Sequence, residues 1–362
     1  MPRNDALSRA NKAKKDEFYT CLSDIEKEMR YYKNHFNNKV IFCNCDDPFE
    51  SNFFKYFVLN FNRLKLKKII ATCYTGSQIA YTQFPLLNLM GYKSDKKLNK
   101  PYKAIVNTVY DKTGDGSIDM LDVAELFKSG ENQLTELSGN GDFRSDECIE
   151  LMNRSDIIIT NPPFSLFREY VATLMDNNKK FIIIGNINAV TYKEFFPLIM
   201  NNKVWIGPSI HSGDRVFYVP DDYPLSASGC GIDDSGKKFI RVKGVRWFTN
   251  LDIKQRHEEL ILVKKYNKDI YKHYDNYDAI NIDRTADIPC DFSGVMGVPI
   301  TFIDKYNPDQ FIIEGMAAGN TKATGFYFNV PYTPHENDRG GCGVINGERV
   351  YARILIRNKH PE

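Results

Sequence analysis

Apolar runs along the first half of the chain alternate with segments in which apolar residues fall three and four positions apart. Runs of consecutive apolar, often β-branched residues predict buried strands at 39–45, 69–74, 156–160 and 180–186. The three-and-four spacing predicts helices at 16–32, from Phe53 onward and from Ser165 onward. Strands that alternate with helices in this way are typical of an α/β fold built around a doubly wound sheet.

The strand that ends at Thr160 is followed directly by Asn161-Pro162-Pro163-Phe164. Because neither proline can donate a hydrogen bond to a sheet, the strand must end there, and the prolines hold the backbone extended. Asn161 is therefore presented at the carboxyl end of a buried strand, the edge where open α/β sheets bind ligands. The alternative is a Pro-Pro turn that only ends the strand.

This loop suits one kind of chemistry, the activation of an exocyclic amine on a nucleobase. Such an amine is a poor nucleophile because its lone pair is conjugated into the ring. Two acceptors, the side-chain oxygen of Asn161 and the carbonyl of Pro162, can pull the nitrogen toward a tetrahedral shape and release the lone pair. Phe164 can stack on a base that has been pulled out of a duplex.

Three other places combine polar or aromatic residues with a predicted strand end. The loop 47–52 separates the first strand from an aromatic helix, so its amides can hold a carboxylate and its acid can accept from an ammonium; an Asx-capped helix start is the alternative. Tyr74 ends the second strand and can line a nucleoside site or pack in the core. Asp142-Phe143, at an apparent strand end, can contact an adenine or form a turn.

The segment 111–122 resembles a calcium-binding loop, with acids at loop positions 1, 5, 9 and 12 and glycine at position 6. It departs from that pattern at Thr113 and at Asp122, which replaces a glutamate, and a strand-like run precedes it. The alternative is a glycine-rich turn into a helix over Met120–Lys128. The eight cysteines include no CxxC pair, so we expect reduced, mostly buried thiols and no structural metal.

Lys and Arg number 48 in this 362-residue chain and Asp and Glu 46, a net charge of +2, which excludes a global polycation. Any nucleic-acid surface must come from local clusters. Residues 237–248 interleave basic, apolar and aromatic residues, which predicts a strand with one cationic face; it is a DNA surface or an edge strand protected by lysines. The sequence has no membrane-length apolar run and no signal-peptide core, so we expect a cytoplasmic protein.

The composition changes near residue 259. Tyrosine, glycine and proline recur from there, and the predicted strands become short and irregular. We therefore predict two domains, 16–258 and 259–362, of which the second is rich in loops.

The order of these motifs resembles that of adenine-specific DNA methyltransferases of the EcoRI type, a family of S-adenosylmethionine-dependent amino-methyltransferases. Phe18-Tyr19-Thr20 resembles the leading cofactor motif, and Asp47-Pro48-Phe49-Glu50-Ser51-Asn52 the methionine-binding loop. Asp142-Phe143 resembles the adenine-contacting motif, and Asn161-Pro162-Pro163-Phe164 the catalytic one. The stretches 244–250 and 297–308 are also similar to the family, so the resemblance covers most of residues 16–315.

The resemblance implies a Rossmann-like class I methyltransferase sheet with a smaller, loop-rich C-terminal target-recognition domain. It also implies S-adenosylmethionine as cofactor, a monomeric enzyme of restriction–modification that acts on double-stranded DNA, and flipping of the adenine. The expected catalytic residues are Asn161, Pro162, Pro163 and Phe164; the expected cofactor-binding residues are Tyr19, Thr20, Asp47, Pro48, Phe49, Ser51, Asn52, Tyr74, Asp142 and Phe143.

Two departures from the family pattern concern the cofactor site. The glycines usual in the first loop are Ser51 and Asn52, and no acid closes the second strand at Tyr74. Two rival functions also remain. One is methylation of another planar amine, such as cytosine N4, an RNA base or a protein glutamine; the other is a non-catalytic DNA-binding module, against which the intact Asn161–Phe164 motif argues.

Overall fold

The computed structural model describes residues 19–45, 48, 51–74, 101–219, 223, 225, 229–319 and 330–362. The chain divides into two compact units. The first unit is Met1–Ile187 with Ser209–Leu251, and the second is Asn188–Pro208 with Asp252–Glu362. The second unit thus includes a segment from the middle of the chain, which the single predicted boundary at residue 258 does not anticipate.

Strands and helices alternate through the first unit, and the second is mainly composed of strands. The strands of the described residues are β1 Tyr19–Thr20, β2 Val40–Cys43, β3 Lys68–Thr72, β4 Tyr102–Val106, β5 Gln133–Glu136, β6 Ile157–Thr160, β7 Lys180–Asn186, β8 Trp205–Ile206, β9 Asp214–Tyr218, β10 Gly231–Ile232, β11 Lys238–Lys243, β12 Val245–Thr249, β13 Ala279–Asn281, β14 Val295–Pro299, β15 Phe311–Ala317, β16 Val344–Ile345, β17 Glu348–Arg349 and β18 Arg353–Asn358. Their α-helices are α1 Leu22–Met29, α2 Asn52–Leu59, α3 Met120–Lys128, α4 Asp146–Asn153, α5 Phe167–Asp176 and α6 Phe196–Met200.

Strands of the first unit form a mixed sheet in the order β5-β4-β3-β2-β6-β7-β12. The central strands β3, β2, β6 and β7 are parallel to one another, whereas β4 and β12 are antiparallel to their neighbours β3 and β7. From β2 the chain continues to β3 on one side and later returns to β6 on the other. The strand order therefore reverses between β2 and β6, and a ligand crevice forms at the carboxyl ends of such strands.

The apolar runs of the sequence lie where this sheet is buried on both faces. Every residue of β2 and β6 is buried, which explains why these strands are continuously apolar rather than alternating. Helix α2 adds Phe53, Phe54 and Phe57 to the core. The Phe53 ring packs edge-on against Trp247 of β12, with 5.9 Å between the ring centres. Each fully buried aromatic of this kind contributes about 1.5–3 kcal/mol to folding. The fold is a mixed α/β architecture, as the sequence predicts.

Two predicted elements differ from the structure. The predicted helix over 16–32 is α1 followed by a 3₁₀ helix, Arg30–His35, and Tyr19–Thr20 instead form β1 because they pair with β9. The predicted strand over 237–248 is two strands. Gly244, with φ +72°, separates β11 from β12, and the two strands join different sheets. Arg246, expected on a cationic face, is instead buried and donates to the Val245 carbonyl.

A smaller antiparallel sheet in the first unit has the order β1-β9-β11-β10. The second unit holds a sheet in the order β13-β14-β18-β15, whose core includes Tyr274 and Tyr277, and a separate β16–β17 pair. None of the eight cysteines forms a disulfide, and most are buried, as predicted. Within the described ranges, no helix is both long enough and apolar enough to cross a membrane.

Candidate active site

The predicted catalytic loop begins at the carboxyl end of β6. Asn161 and Pro162 are buried, and Asn161 is only 5% exposed. Pro163 is extended, with φ −53° and ψ 126°, and its carbonyl accepts from Leu166 N at 2.9 Å to close the short 3₁₀ helix Phe164–Leu166. Helix α5 follows at once. The two prolines therefore end the strand as predicted and hold a tight turn between strand and helix.

A buried polar network below this loop joins it to the end of β2. The Thr160 hydroxyl donates to the Asn44 carbonyl, and the Tyr170 hydroxyl of α5 donates to Asn44 Oδ1. The ring of Phe143 packs edge-on against Tyr170 at 4.9 Å. Asn44 is 2% exposed. Asn44 thus bonds both the residue before the predicted catalytic loop and the helix after it, and Phe143 packs alongside.

The loop after β2 ends in a capped helix. The Ser51 hydroxyl accepts from Phe53 N at 3.2 Å and caps α2, and Ser51 has φ −64° and ψ 123°. Any L-residue adopts that conformation, so this position does not require the glycine usual in the family. Asn52 is the first residue of α2, and its Nδ2 donates to the Thr20 carbonyl at 2.7 Å. Pro48 is buried; Asp47 and Phe49 lie outside the described residues.

The small sheet brings Tyr19 and Thr20 of the leading motif to the predicted catalytic loop. Thr20 pairs with Phe217 of β9, and the Phe217 ring meets Phe164 edge-on at 6.3 Å. Phe164 itself is half-buried. Thr20, Asn52 and Phe164 therefore belong to one contiguous set of contacts. Tyr19 lies on the opposite face of β1 from Thr20, since successive strand residues alternate.

Asp142 lies in a turn before α4 rather than at a strand end, as its carbonyl accepts from Ser145 N. Its carboxylate accepts from Arg144 Nε at 2.8 Å and Nη2 at 2.6 Å, and Arg144 also contacts Glu169 of α5. Hydrogen bonds from the Arg144 guanidinium lower the pKa of Asp142 below its usual value.

A tight backbone contact holds the Asp142 turn against the end of β3. Gly141 has φ +77°, and a Cβ there would lie 2.0 Å from the Cys73 carbonyl oxygen. Tyr74 follows Cys73 and is half-buried. The predicted residues Tyr74, Asp142 and Phe143 therefore lie near one another, at the same edge of the sheet as Asn161.

The calcium-like segment is organised by its own backbone. Asp111 accepts from the amides of Gly114 and Gly116, at 2.6 and 2.8 Å. Asp122 accepts from Lys112 N and, in a capping box, from Asp119 N, each at 2.8 Å. These bonds occupy the carboxylates and favour the turn into α3, whose bounds match the prediction. Where the structure describes the chain, no group of three or more metal-binding side chains occurs.

Sequence reasoning did not single out Asn44, Tyr170, Phe217 or Arg144 as part of this site. The available signal for Asn44 was a polar residue at the end of an otherwise apolar run. Tyr170 looked like an ordinary core position of a helix, and only its hydroxyl partner distinguishes it. Phe217 carries no local signal, because its contacts come from segments distant in the chain. Arg144 lies two residues after Asp142, but its contact with Glu169 of α5 joins separate segments.

Comparison with known proteins finds a family model and relatives that match nearly the whole chain. Residues 6–359 match the family model of adenine-specific methyltransferase EcoRI. The chain is 43% identical to type II methyltransferase M.EcoRI of Escherichia coli, over 98% of this chain and 97% of that protein. It is 34% identical to M.MgeORF184P of Mycoplasma genitalium and 33% identical to M.MpnI of Mycoplasma pneumoniae, each over 98% of both chains. No solved structure gives a significant match.

Proposed function

The chain belongs to the family of adenine-specific EcoRI methyltransferases, and we propose that it methylates the N6 amine of an adenine flipped out of duplex DNA. The observation that carries this proposal is the Asn161–Phe164 turn, held at the switch point between β2 and β6. We also propose that the main sheet is Rossmann-like, of the class I methyltransferase type.

Asn161 and Pro162 activate the amine in this proposal. The side-chain oxygen of Asn161 and the backbone carbonyl of Pro162 each accept a hydrogen bond from one N6 hydrogen. These bonds draw the amine nitrogen out of conjugation with the ring. Phe164 stacks on the flipped base and holds it in the turn. Because the oxygens belong to a turn fixed by two prolines and the Asn44 network, they need little reorganisation when the nitrogen becomes nucleophilic.

The residues around the β2 loop fit an aminocarboxylate group such as that of S-adenosylmethionine. Thr20 Oγ1 and Asn44 Nδ2 are buried, and neither has a hydrogen-bond partner among the residues that the structure describes. A carboxylate accepts from both kinds of group, and burying them without a partner costs about 1–3 kcal/mol. S-adenosylmethionine supplies an electrophilic methyl group when bound.

We assign the remaining cofactor contacts on the same basis. Thr20, Ser51 and Asn52 lie around the start of α2 and, with Asp47, Pro48 and Phe49, would hold the methionine part. Tyr74 follows the end of β3, and Asp142 and Phe143 lie in the turn packed beside it; these residues would contact the nucleoside part or the target adenine. Tyr19 supports Thr20 as its neighbour in β1.

We assign recognition of the DNA sequence to the C-terminal region, residues 259–362. We also propose that the enzyme acts as a monomer. The described part of this region has exposed lysines at Lys264, Lys265, Lys268 and Lys272. Lysines attract the phosphates of double-stranded DNA without selecting a sequence. The loop-rich composition suits base contacts, which commonly come from loops carried on a rigid scaffold.

The test of the proposed function is methyl transfer from tritiated S-adenosylmethionine to plasmid DNA, RNA and protein in parallel. We expect label in DNA alone, recovered as N6-methyl-2′-deoxyadenosine after digestion to nucleosides. Asn161→Ala should lower kcat by roughly 10²–10³-fold, the usual loss for one preorganised acceptor or donor. The matched control is Asn153→Ala, an exposed asparagine at the other edge of the sheet.

Three results would each contradict the proposed function. Label in RNA or protein instead of DNA would favour another planar amine as substrate. No transfer with preserved DNA binding would favour a non-catalytic module. An Asn161→Ala variant with full activity would remove the assigned chemistry from this turn.

A further inference from the structure

The outer face of the small sheet carries a row of aromatic residues. Tyr19 of β1 lies opposite Tyr218 of β9, and Tyr218 lies opposite Phe239 of β11, so the three rings project from the same face. All three residues are half-buried. Phe239 extends over β10, where a Cβ on Gly231 would lie 2.8 Å from the ring. The row therefore crosses the whole sheet.

Two cations lie over this row. The Lys237 ammonium is 5.9 Å from the centre of the Tyr218 ring, and the Arg241 guanidinium is 5.7 Å from that of Phe239. Both residues are exposed, and neither has an ion-pair partner within the part of the chain that the structure describes. A cation that rests on a ring keeps its donors toward solvent in a restricted orientation. Such an arrangement suits a phosphate.

We propose that Lys237 and Arg241, which lie over the rings of Tyr218 and Phe239, bind the phosphate backbone of the substrate DNA. This inference rests on the proposed function, since it names a contact of the same substrate. It also replaces the simpler expectation of a cationic face along residues 237–248, because Arg246 is buried. The remaining cations select no base, so their role is affinity and orientation rather than sequence recognition.

Among the residues that the structure describes, the acids near these cations form no ion pair with them. Asp233 accepts from the Ser235 hydroxyl and from the backbone amides of Ser235 and Lys237, and these hydrogen bonds lower its pKa, so it remains an anion. Its single negative charge is smaller than the combined charge of the two cations. Asp214 lies opposite Lys243 at the far end of β11. Lys237 and Arg241 therefore provide the positive charge at the aromatic part of the face.

The same sheet also contacts the catalytic loop. Phe217 and Ile240 lie on its buried inner face, and Phe217 meets Phe164. Successive side chains of one strand point to opposite faces of the sheet, so the neighbours Phe217 and Tyr218 of β9 lie on the inner and the outer face. A phosphate bound on the outer face is thereby connected to the proposed position of the flipped base through a single strand.

The experiment measures the salt dependence of DNA affinity for the full-length protein. Lys237→Gln with Arg241→Gln removes two phosphate contacts, so the slope of log affinity against log salt should fall by about 1.8. Between 50 and 200 mM salt, the double variant should lose about 12-fold less affinity than the wild type. The control, Lys65→Gln with Lys67→Gln, removes the same charge from exposed residues before β3, at the opposite edge of the main sheet.

The control pair should keep the wild-type slope, and both pairs should keep the wild-type melting temperature and KM for S-adenosylmethionine. Equal slopes for the Lys237/Arg241 pair and the wild type would overturn the inference, as would an equal reduction in both pairs, which indicates a general charge effect. A wild-type protein that methylates no DNA would instead overturn the proposed function itself, and this inference with it.

Discussion

Gly185 gives the sharpest test of how the proposed catalytic turn is supported. This glycine lies in β7, beside β6, the strand that directly precedes Asn161, and its missing side chain makes room for the ring of Phe167. Phe167 is the first residue of α5 and directly follows the Phe164–Leu166 turn. Gly185→Ala therefore adds one methyl group behind the proposed active site without touching any residue assigned to chemistry.

The size of the effect follows from the distances. An added Cβ would lie 2.4 Å from Phe167 Cε2 and 2.8 Å from Cζ. Ordinary carbon contacts are about 3.5–4.0 Å, so the ring must move by about 1 Å. The ring is buried and packs against Phe248 at 5.2 Å, so the start of α5 must move with it. Overpacking of this kind costs about 1–3 kcal/mol in stability, and a 1 Å displacement of reacting groups can cost about 10²-fold in rate.

The assay is kcat for DNA methylation together with the free energy of unfolding in urea. Gly185→Ala should lower both, and the kcat loss should exceed what the unfolded fraction explains. Gly139→Ala is the matched control, because a Cβ there meets no described atom within 4 Å. Adding Phe167→Leu to Gly185→Ala should restore part of the rate. Wild-type kcat in the single variant, or no recovery in the double variant, would refute the reasoning.

Two further predictions concern buried hydroxyl and carboxyl groups. Tyr170→Phe leaves Asn44 Oδ1 without its donor and should cost about 1–3 kcal/mol in stability and at least tenfold in kcat. Tyr32→Phe removes a similar buried bond, to Glu28, and should leave kcat unchanged. Equal kcat values for the two variants would contradict the role of the Asn44 network. Burial raises the pKa of Glu28 to about 7, against hydrogen bonds from Ser209 and Tyr32 that lower it. The protonated form of Glu28 is therefore favoured in the folded state. The contribution of this pKa shift to protein stability is complete below pH 4.5 and is lost as the pH rises through about 7. Glu28→Gln should remove roughly 2 kcal/mol of the decline in unfolding free energy between pH 5 and 7.5, measured in urea; parallel pH curves for the two proteins would show that Glu28 does not titrate in this range.

Local sequence patterns predicted the parts of the fold that depend on local burial. Continuous apolar runs identified β2, β3, β6 and β7, and the bounds of β7 and α3 were predicted without error. Such runs are informative because a strand covered on both faces has no polar positions. The turn at Asn161 was equally predictable, because two prolines leave the backbone few alternatives.

Elements that depend on distant partners were not predictable in the same way. Tyr19–Thr20 continued an apparently helical pattern and became a strand only because β9 lies beside it. The bend at Gly244 divides one alternating run between two sheets, and alternation alone contains no signal for such a division. The Asn44 network likewise joins residues more than a hundred positions apart, so no local window contains it.

That network has a consequence for protein engineering. Asn44 bonds the segments on both sides of the proposed catalytic turn through its carbonyl and its side chain, and its own loop carries the proposed cofactor contacts. Chimeras between relatives should therefore exchange residues 44–52 and 160–170 as one module. A hybrid that takes only one of these two segments from a donor sequence combines bonding partners that come from different proteins. We expect such a hybrid to fold with a misaligned turn.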